Sequence, residues 1–232
     1  MSDSEQVNSG AAQQFAVQAV HHTLGQRTDV DSCAALTRRI NGLLDEAFQH
    51  FQQDGAALAC RAGCSFCCHL RVMVYPHEAI ALFRYLGSRM PREQTTVVRE
   101  RVVQNAALIR EGRAPAALAC AFLVDGKCSA YEVRPGACSG YHSLSRERCE
   151  AEYQSAANAP DGVPVLKALR YVAAALDDGM EQGLSALGLS KARIELHIAV
   201  AALIKSPALI QRWRSGRELL KSDGGGRYIT CG

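Results

Sequence analysis

Four cysteines within nine residues constrain this chain more than any other feature of its sequence. The loop CRAGCSFCC carries the first cysteine group: Cys60, Cys64, Cys67 and Cys68. Thiolates held this close repel one another, so the arrangement needs a bound cation to be stable. A Cys-x3-Cys-x2-Cys turn lets the chain bend until several sulfurs meet one centre. The loop therefore predicts a metal or iron–sulfur site.

Further along the chain lies a second cysteine group: Cys120, Cys128, Cys138 and Cys149. A distant segment that folds back commonly supplies the remaining ligands of a site begun by a short loop. We predict that all eight cysteines are metal ligands, because this concentration of thiols is not explained by packing alone. The pattern leaves open whether they form one site or two. Cys33 and Cys231 stand apart from both groups, and we expect neither to be a ligand.

Adjacent residues in an extended or turning chain generally direct their side chains apart. We therefore expect Cys67 and Cys68 to have different roles. In this interpretation Cys67 is a primary ligand beside Cys60 and Cys64, whereas Cys68 faces the second cysteine group.

Three histidines lie close in sequence to these cysteines and are secondary candidates as ligands: His69, His77 and His142. The other four are interpreted as ordinary solvent or helix-face residues: His21, His22, His50 and His197. Arg134, within the segment YEVRP, is a candidate for neutralising a thiolate-rich site, with a surface arginine in a proline turn as the alternative. Pro135 would fix the turn that leads to Cys138.

Helical periodicity surrounds the cysteine segments and predicts a mainly α protein. In this fold a helical domain wraps around a cysteine-rich loop region with short strands or turns. Asp125-Gly126, between apolar residues and Cys128, predicts a hairpin turn. Four segments are expected: 1–28, a disordered N-terminal segment; 29–158, the cysteine-cluster metal-binding domain; 159–221, a C-terminal helical part packed on it; and 222–232, a flexible tail.

Charge and hydropathy argue against two classes of partner. The 26 basic and 23 acidic side chains are interspersed, so nucleic-acid binding is not indicated. The longest apolar stretches fall short of the roughly 20 residues that cross a bilayer, and we expect no membrane span. The first twenty residues lack the basic start and apolar run of a signal peptide. We therefore expect a cytoplasmic protein, in which clustered thiols act as ligands and not as disulfides.

From Cys60 to Cys149 the sequence resembles the cysteine-cluster proteins that chelate zinc or iron, sometimes called YkgJ-like. The first cysteine group has the C-x3-C-x2-C-C form of that family, and residues 120–138 resemble its second motif. Members more often carry Pro after the first cysteine of that motif and Arg after its last, where this chain has Ala121 and Ser139. The flagellin lysine-N-methylases carry a similar cysteine region associated with an iron–sulfur cluster. The resemblance therefore implies iron as well as zinc.

Three function classes follow. We favour a metal-binding protein with an iron–sulfur cluster of the 4Fe-4S type, or zinc, in a redox or accessory role for a protein partner that the sequence does not identify. A protein-modifying enzyme related to the flagellin methylases and a structural zinc protein are the alternatives. No catalytic motif is visible, so enzymatic activity stays open. The Cys-x3-Cys-x2-Cys spacing also occurs in radical S-adenosylmethionine enzymes, but their βα barrel does not fit the helical pattern.

Overall fold

The computed structural model of the protein describes residues 3–115, 117–155, 162–222 and 228–229, with side chains from residue 9 to residue 221. The α-helices in this part of the chain are α1 (Asp3–Leu24), α2 (Val30–Gln53), α3 (Pro76–Ser88), α4 (Arg92–Arg110), α5 (Gly136–Ser139), α6 (Arg146–Gln154), α7 (Lys167–Ala186), α8 (Leu196–Lys205) and α9 (Leu209–Arg214). Two 3-10 turns span Phe66–His69 and Tyr131–Val133. The prediction of a mainly α protein is confirmed.

Three antiparallel pairs of two-residue strands occur among the described residues. They are β1 (Met73–Val74) with β4 (Ile194–Glu195), β2 (Leu123–Val124) with β3 (Lys127–Cys128), and β5 (Lys221–Ser222) with β6 (Tyr228–Ile229). The β1–β4 pair continues into a 2.9 Å hydrogen bond from the Leu196 N–H to the Val72 carbonyl. This pairing places the beginnings of α3 and α8 side by side.

Helix α3 begins where the sequence predicts, at Pro76, because proline suits the first turn of a helix. The backbone N–H of Tyr75 donates to Glu78 Oε2 at 2.8 Å, which is the carboxylate half of a capping box, and the N–H of Glu78 donates to the Tyr75 carbonyl at 3.1 Å. Helix α8 begins in a similar way, since Glu195 accepts a 3.0 Å hydrogen bond from the Ile198 N–H. Two buried carboxylates thus cap neighbouring helices.

Helix α1 packs along α7, and two glycines of α7 make the close crossing possible. A Cβ atom at Gly179 would overlap the Gln13 carbonyl oxygen and lie 2.9 Å from the Cβ of Ala16. At Gly183 it would lie 2.7 Å from the Cβ of Val20. Only a residue without a side chain fits at these positions.

The prediction that residues 1–28 are disordered is wrong, because Asp3–Leu24 forms α1. One face of this helix is buried through small or aliphatic residues: Ala12, Ala16, Ala19, Val20 and Leu24. Alanines give only a weak apolar stripe, and the residues they pack against are glycines far away in the sequence. Local periodicity therefore does not reveal that this segment is a buried helix.

Two other predicted boundaries remain untested. The predicted limit between residues 158 and 159 lies outside the described residues, as do most of the predicted tail and Cys231. In the described part of the tail, β5 and β6 are paired. None of the described helices combines the length and the apolar character that a membrane span requires.

Candidate metal centre

The first cysteine group lies in a loop of tight turns after α2. Gly63 has a φ of 85°, which a residue with a side chain rarely adopts. The N–H of Cys64 donates to the Arg61 carbonyl at 3.0 Å, and the N–H of Cys68 donates to the Ser65 carbonyl at 3.0 Å. These turns make the loop compact and so bring its four cysteines near one another.

The second cysteine group is spread over a hairpin and two helices. Cys120 precedes β2, Cys128 lies on β3, Cys138 lies on α5 and Cys149 lies on α6. The predicted Asp125-Gly126 turn joins β2 to β3, and both residues have positive φ, 50° and 72°. Such a pair is typical of a type I′ hairpin, so the dipeptide sets the turn that brings Cys128 back towards Cys120.

Backbone hydrogen bonds join the two cysteine groups. The N–H of Cys120 donates to the carbonyl oxygen of Cys68 at 2.8 Å. At a second place the N–H of Ala59 donates to the Ser143 carbonyl at 2.9 Å, and the N–H of Ser143 donates to Cys60 Sγ at 3.2 Å. The fold therefore brings the two sequence groups together, as predicted from the chemistry of clustered thiols.

The electrostatic contacts divide the thiols differently from their order in the sequence. Cys149 lies within electrostatic range of the first-group thiols, and we call Cys60, Cys64 and Cys149 the loop set. We call Cys120, Cys128 and Cys138 the hairpin set, because these three influence one another. Cys67 raises the pKa of members of both sets, among them Cys60, Cys120 and Cys149. Cys67 is thus the thiol where the two sets meet.

Cys67 and Cys68 differ from the expectation that they point apart. A hydrogen bond between the two side chains is the largest cause of a raised pKa at Cys67, followed by burial. Cys67 is the thiol within range of the hairpin set, whereas Cys68 reaches the second group through its carbonyl oxygen. The 3-10 turn Phe66–His69 permits this contact, because three residues per turn separate adjacent side chains by about 120° and not by the roughly 180° of an extended chain.

Burial keeps these thiols protonated in the absence of a cation. It raises the pKa of Cys60 and Cys128, raises that of Cys120 to about 12, and raises that of Cys138 well above its ordinary value. Backbone N–H groups oppose this effect, with Phe122 donating to Cys120 and Ala130 donating to Cys128. The buried sulfurs therefore lose their protons only when a bound cation stabilises the thiolate charge in place of water.

The donor set fits zinc or iron in its chemistry. The described cysteines are all free thiols, and backbone N–H groups point at several of the sulfurs. Among the described residues, however, no three Cys, His, Asp or Glu side chains lie in a group close enough to hold a metal ion. Side-chain rotation would have to bring the sulfurs onto a common centre.

The three histidines that the sequence offered as secondary ligands contact other groups. His69 Nδ1 lies 3.2 Å from the Ser65 carbonyl oxygen, and its ring packs on Tyr153 at 4.5 Å. His142 Nε2 lies 2.7 Å from the Ser139 carbonyl oxygen. His77 is buried, and burial lowers its pKa to about 3. The Nδ1 atoms of His77 and His142 are nevertheless buried without a hydrogen-bond partner, so histidine ligation stays a prediction.

Arg134 is not a surface residue, since only 8% of its side chain is exposed. Its guanidinium group pairs with Asp45 and lies 3.8 Å from the centre of the Tyr131 ring. Its charge partly opposes the rise in the pKa of Cys128 that burial causes. This position is consistent with the predicted neutralising role.

His197 was missed by the sequence interpretation, which treated it as a solvent or helix-face residue. It is 6% exposed, and its Nε2 accepts a 3.1 Å hydrogen bond from the N–H of Ala121, next to Cys120. Glu195, two residues before it, is also buried. The Glu-x-His spacing at a helix start was the only available signal, and it is too common to have pointed to the cysteines.

Two thiols border a small cavity at the surface. Cys67 and Cys149 line this cavity of about 20 Å³, together with Phe66, Tyr141 and Tyr153. Tyr153 is 40% exposed. The cavity is large enough for about one water molecule. Because it lies at the surface, Cys67, where the two thiol sets meet, is close to solvent.

Residues 59–158 match the model of the CxxCxxCC family, described as "Putative zinc- or iron-chelating domain". The match covers both cysteine groups and agrees with the resemblance seen in the sequence. No curated protein and no solved structure matches the chain significantly.

Proposed function

Because residues 59–158 match the model of the CxxCxxCC family, we propose that this chain holds an iron–sulfur cluster through its clustered cysteines. The position of Cys67 carries this proposal, because its thiol lies within electrostatic range of both the loop set and the hairpin set. Thiols from two distant parts of the chain thus lie within electrostatic range of one sulfur, that of Cys67. When bound, a cluster of this kind accepts and releases single electrons.

The chain supplies the groups that such a centre requires. Backbone N–H groups donate to the sulfurs of Cys60, Cys120 and Cys128. Hydrogen bonds of this type stabilise thiolate charge and are one means by which a protein sets a reduction potential. Arg134 adds a fixed positive charge within range of Cys128. These residues oppose the cost of burying several negative sulfurs together.

The solvent-accessible position of the two thiol sets' meeting point supports a redox or accessory role. Cys67 and Cys149 border the small cavity described above, which is open to solvent beside the exposed ring of Tyr153. A centre at this position would be reached by a partner protein without unfolding the chain. The donors nearest the surface would belong to the loop set.

Anaerobic purification of the full chain tests the proposal. The protein should be brown, should absorb broadly near about 400 nm, and should contain iron and acid-labile sulfide. The Cys33→Ala variant is the matched control, because Cys33 is fully buried in α2 and the charges that act on its thiol are those of Asp29 and Arg214, not those of a described cysteine. Colourless protein with stoichiometric zinc would overturn the iron–sulfur proposal and support a structural zinc site. Protein without either metal would overturn metal binding altogether.

A further inference from the structure

Helices from outside the cysteine loops hold the backbone of Cys120 on both sides. Asn105 of α4 donates from Nδ2 to the carbonyl oxygen of Ala119 at 2.9 Å. His197 of α8 accepts at Nε2 from the backbone N–H of Ala121 at 3.1 Å. Because the N–H of Cys120 is itself bonded to Cys68, the peptide groups around this one cysteine are fixed from three directions.

The hydrogen bonds of His197 determine which nitrogen carries its proton. A backbone N–H can only donate, so Nε2 is the acceptor in the contact with Ala121. Nδ1 then carries the proton and donates to Glu195 Oε1, 2.8 Å away. The second oxygen of that carboxylate accepts from the N–H of Ile198 at 3.0 Å. The imidazole is therefore held on both of its nitrogens and cannot turn without breaking a hydrogen bond.

Both members of this pair are buried, with Glu195 5% exposed and His197 6% exposed. A buried polar pair is kept satisfied only by these partners, since water does not reach it. The Asn105 Nδ2 atom lies 3.3 Å from His197 Nε2, which brings α4 into the same network. The network therefore connects Glu195 and His197 to the peptide group between Cys120 and Ala121, and not to solvent.

We propose that His197 is a positioning residue for the metal site. Oriented by Glu195, it fixes the Ala121 peptide and so directs the Cys120 sulfur towards Cys128 and Cys138. This inference rests on the proposed function, and it extends the site beyond the matched segment 59–158. The C-terminal helical part would then be required for metal binding and not only for packing.

Two replacements separate the acceptor role of His197 from its bulk. His197→Leu removes both hydrogen bonds, whereas His197→Gln keeps a carbonyl oxygen near the position of Nε2 that can accept from Ala121. The probe is Co²⁺ added to the metal-free full chain, because thiolate-to-cobalt absorption reports the arrangement of the sulfurs. Removing an orienting partner of a ligand typically lowers metal affinity about 10- to 100-fold. We expect that loss and a shifted spectrum in His197→Leu, with most of both restored in His197→Gln.

Leu203→Ala is the matched control, because this side chain lies fully buried on the same helix. It should lower the thermal midpoint without changing the Co²⁺ spectrum or affinity. The positioning role is overturned by wild-type affinity in His197→Leu, by an equal loss of affinity in Leu203→Ala, or by a Gln variant no better than the Leu variant. A wild-type chain that binds no Co²⁺, zinc or iron would instead overturn the proposed function, and this inference with it.

Discussion

The backbone N–H of Cys120 donates a 2.8 Å hydrogen bond to the carbonyl oxygen of Cys68. This contact joins the two cysteine groups through the main chain and does not depend on a metal. A serine at either position would keep it. The contribution of Cys68 to assembly is therefore separable from the contribution of its thiol.

Serine replacements of Cys67 and Cys68 should give different results. Cys67→Ser should lose nearly all bound metal, because this thiol lies within range of both the loop set and the hairpin set. Cys68→Ser should retain metal in at least one site or lose only stability, since its link to the second group is a backbone hydrogen bond. Metal per chain and thermal unfolding are the measurements. Equal and complete loss of metal in both variants would contradict this division.

Cys33→Ser should leave metal content unchanged and lower stability. The Cys33 thiol is fully buried, and burial raises its pKa far above the ordinary value. A hydroxyl in its place costs about 1 to 3 kcal/mol of unfolding free energy unless it finds a partner. Metal analysis and urea denaturation check both halves of the prediction. A loss of metal would show that Cys33 belongs to the site. The matching prediction for Cys231, unchanged metal content after replacement by serine, remains a prediction.

Gly179→Ala and Gly183→Ala should each destabilise the protein by about 1 to 3 kcal/mol, because the added methyl group overlaps α1. Gly42→Ala is the matched control, since it lies inside α2 with no atom within 4 Å of the added Cβ. It should stabilise the protein by about 0.5 to 1 kcal/mol through helix propensity. Denaturant unfolding measures the three changes. Stabilisation in Gly179→Ala and Gly183→Ala, as in the control, would show that the α1–α7 crossing is not closely packed.

His77 and Glu78 are buried neighbours whose ionisation affects stability in opposite directions. Burial lowers the pKa of His77 from 6.5 to about 3. Between these values only the unfolded chain binds the proton, so His77 makes stability rise with pH. Burial raises the pKa of Glu78 from 4.5 to about 7. Between those values only the folded chain keeps the proton, so Glu78 makes stability fall with pH. From about pH 4.5 to 6.5 the two effects oppose each other.

Single replacements should reveal each effect. Relative to the wild-type chain, the unfolding free energy of His77→Phe should fall as pH rises from 3 to 6.5, because the contribution of His77 is removed. Relative to the wild-type chain, that of Glu78→Gln should rise as pH rises from 4.5 to 7, because the contribution of Glu78 is removed. Each unit of pKa difference corresponds to about 1.4 kcal/mol. Denaturant unfolding of the metal-free chain at a series of pH values is the measurement. Parallel pH profiles in the two variants would refute the opposed contributions.

Features set by a few neighbouring residues were predictable from the sequence. Pro76 marks the start of α3 and Asp125-Gly126 marks the hairpin, because the conformation of such residues is restricted locally. The closeness of the two cysteine groups was also predictable, from the chemistry of thiolates and not from their separation in the sequence. These signals need no knowledge of distant packing.

Features that depend on distant residues were not predictable. Helix α1 is buried against the glycines of α7, and alanine-rich faces carry little periodic signal. Cys149 lies with Cys60 and not with the hairpin, because the Ser143 backbone brings the start of α6 to the loop. His197 acquires its role only through the β1–β4 pairing that brings α8 to the cysteines. In each case a contact between remote segments decides the outcome.

The crossing of α1 on α7 also has a consequence for the order of events during synthesis. Ala16 leaves the ribosome long before Gly179, so α1 waits without its partner for roughly 10 to 30 s at about 5 to 20 residues per second. Throughout that interval the part of α1 that packs on α7 is open to chaperones and to proteases. Metal bound in the intervening segment would shorten the loop that has to close, and would thereby speed the final docking of α1.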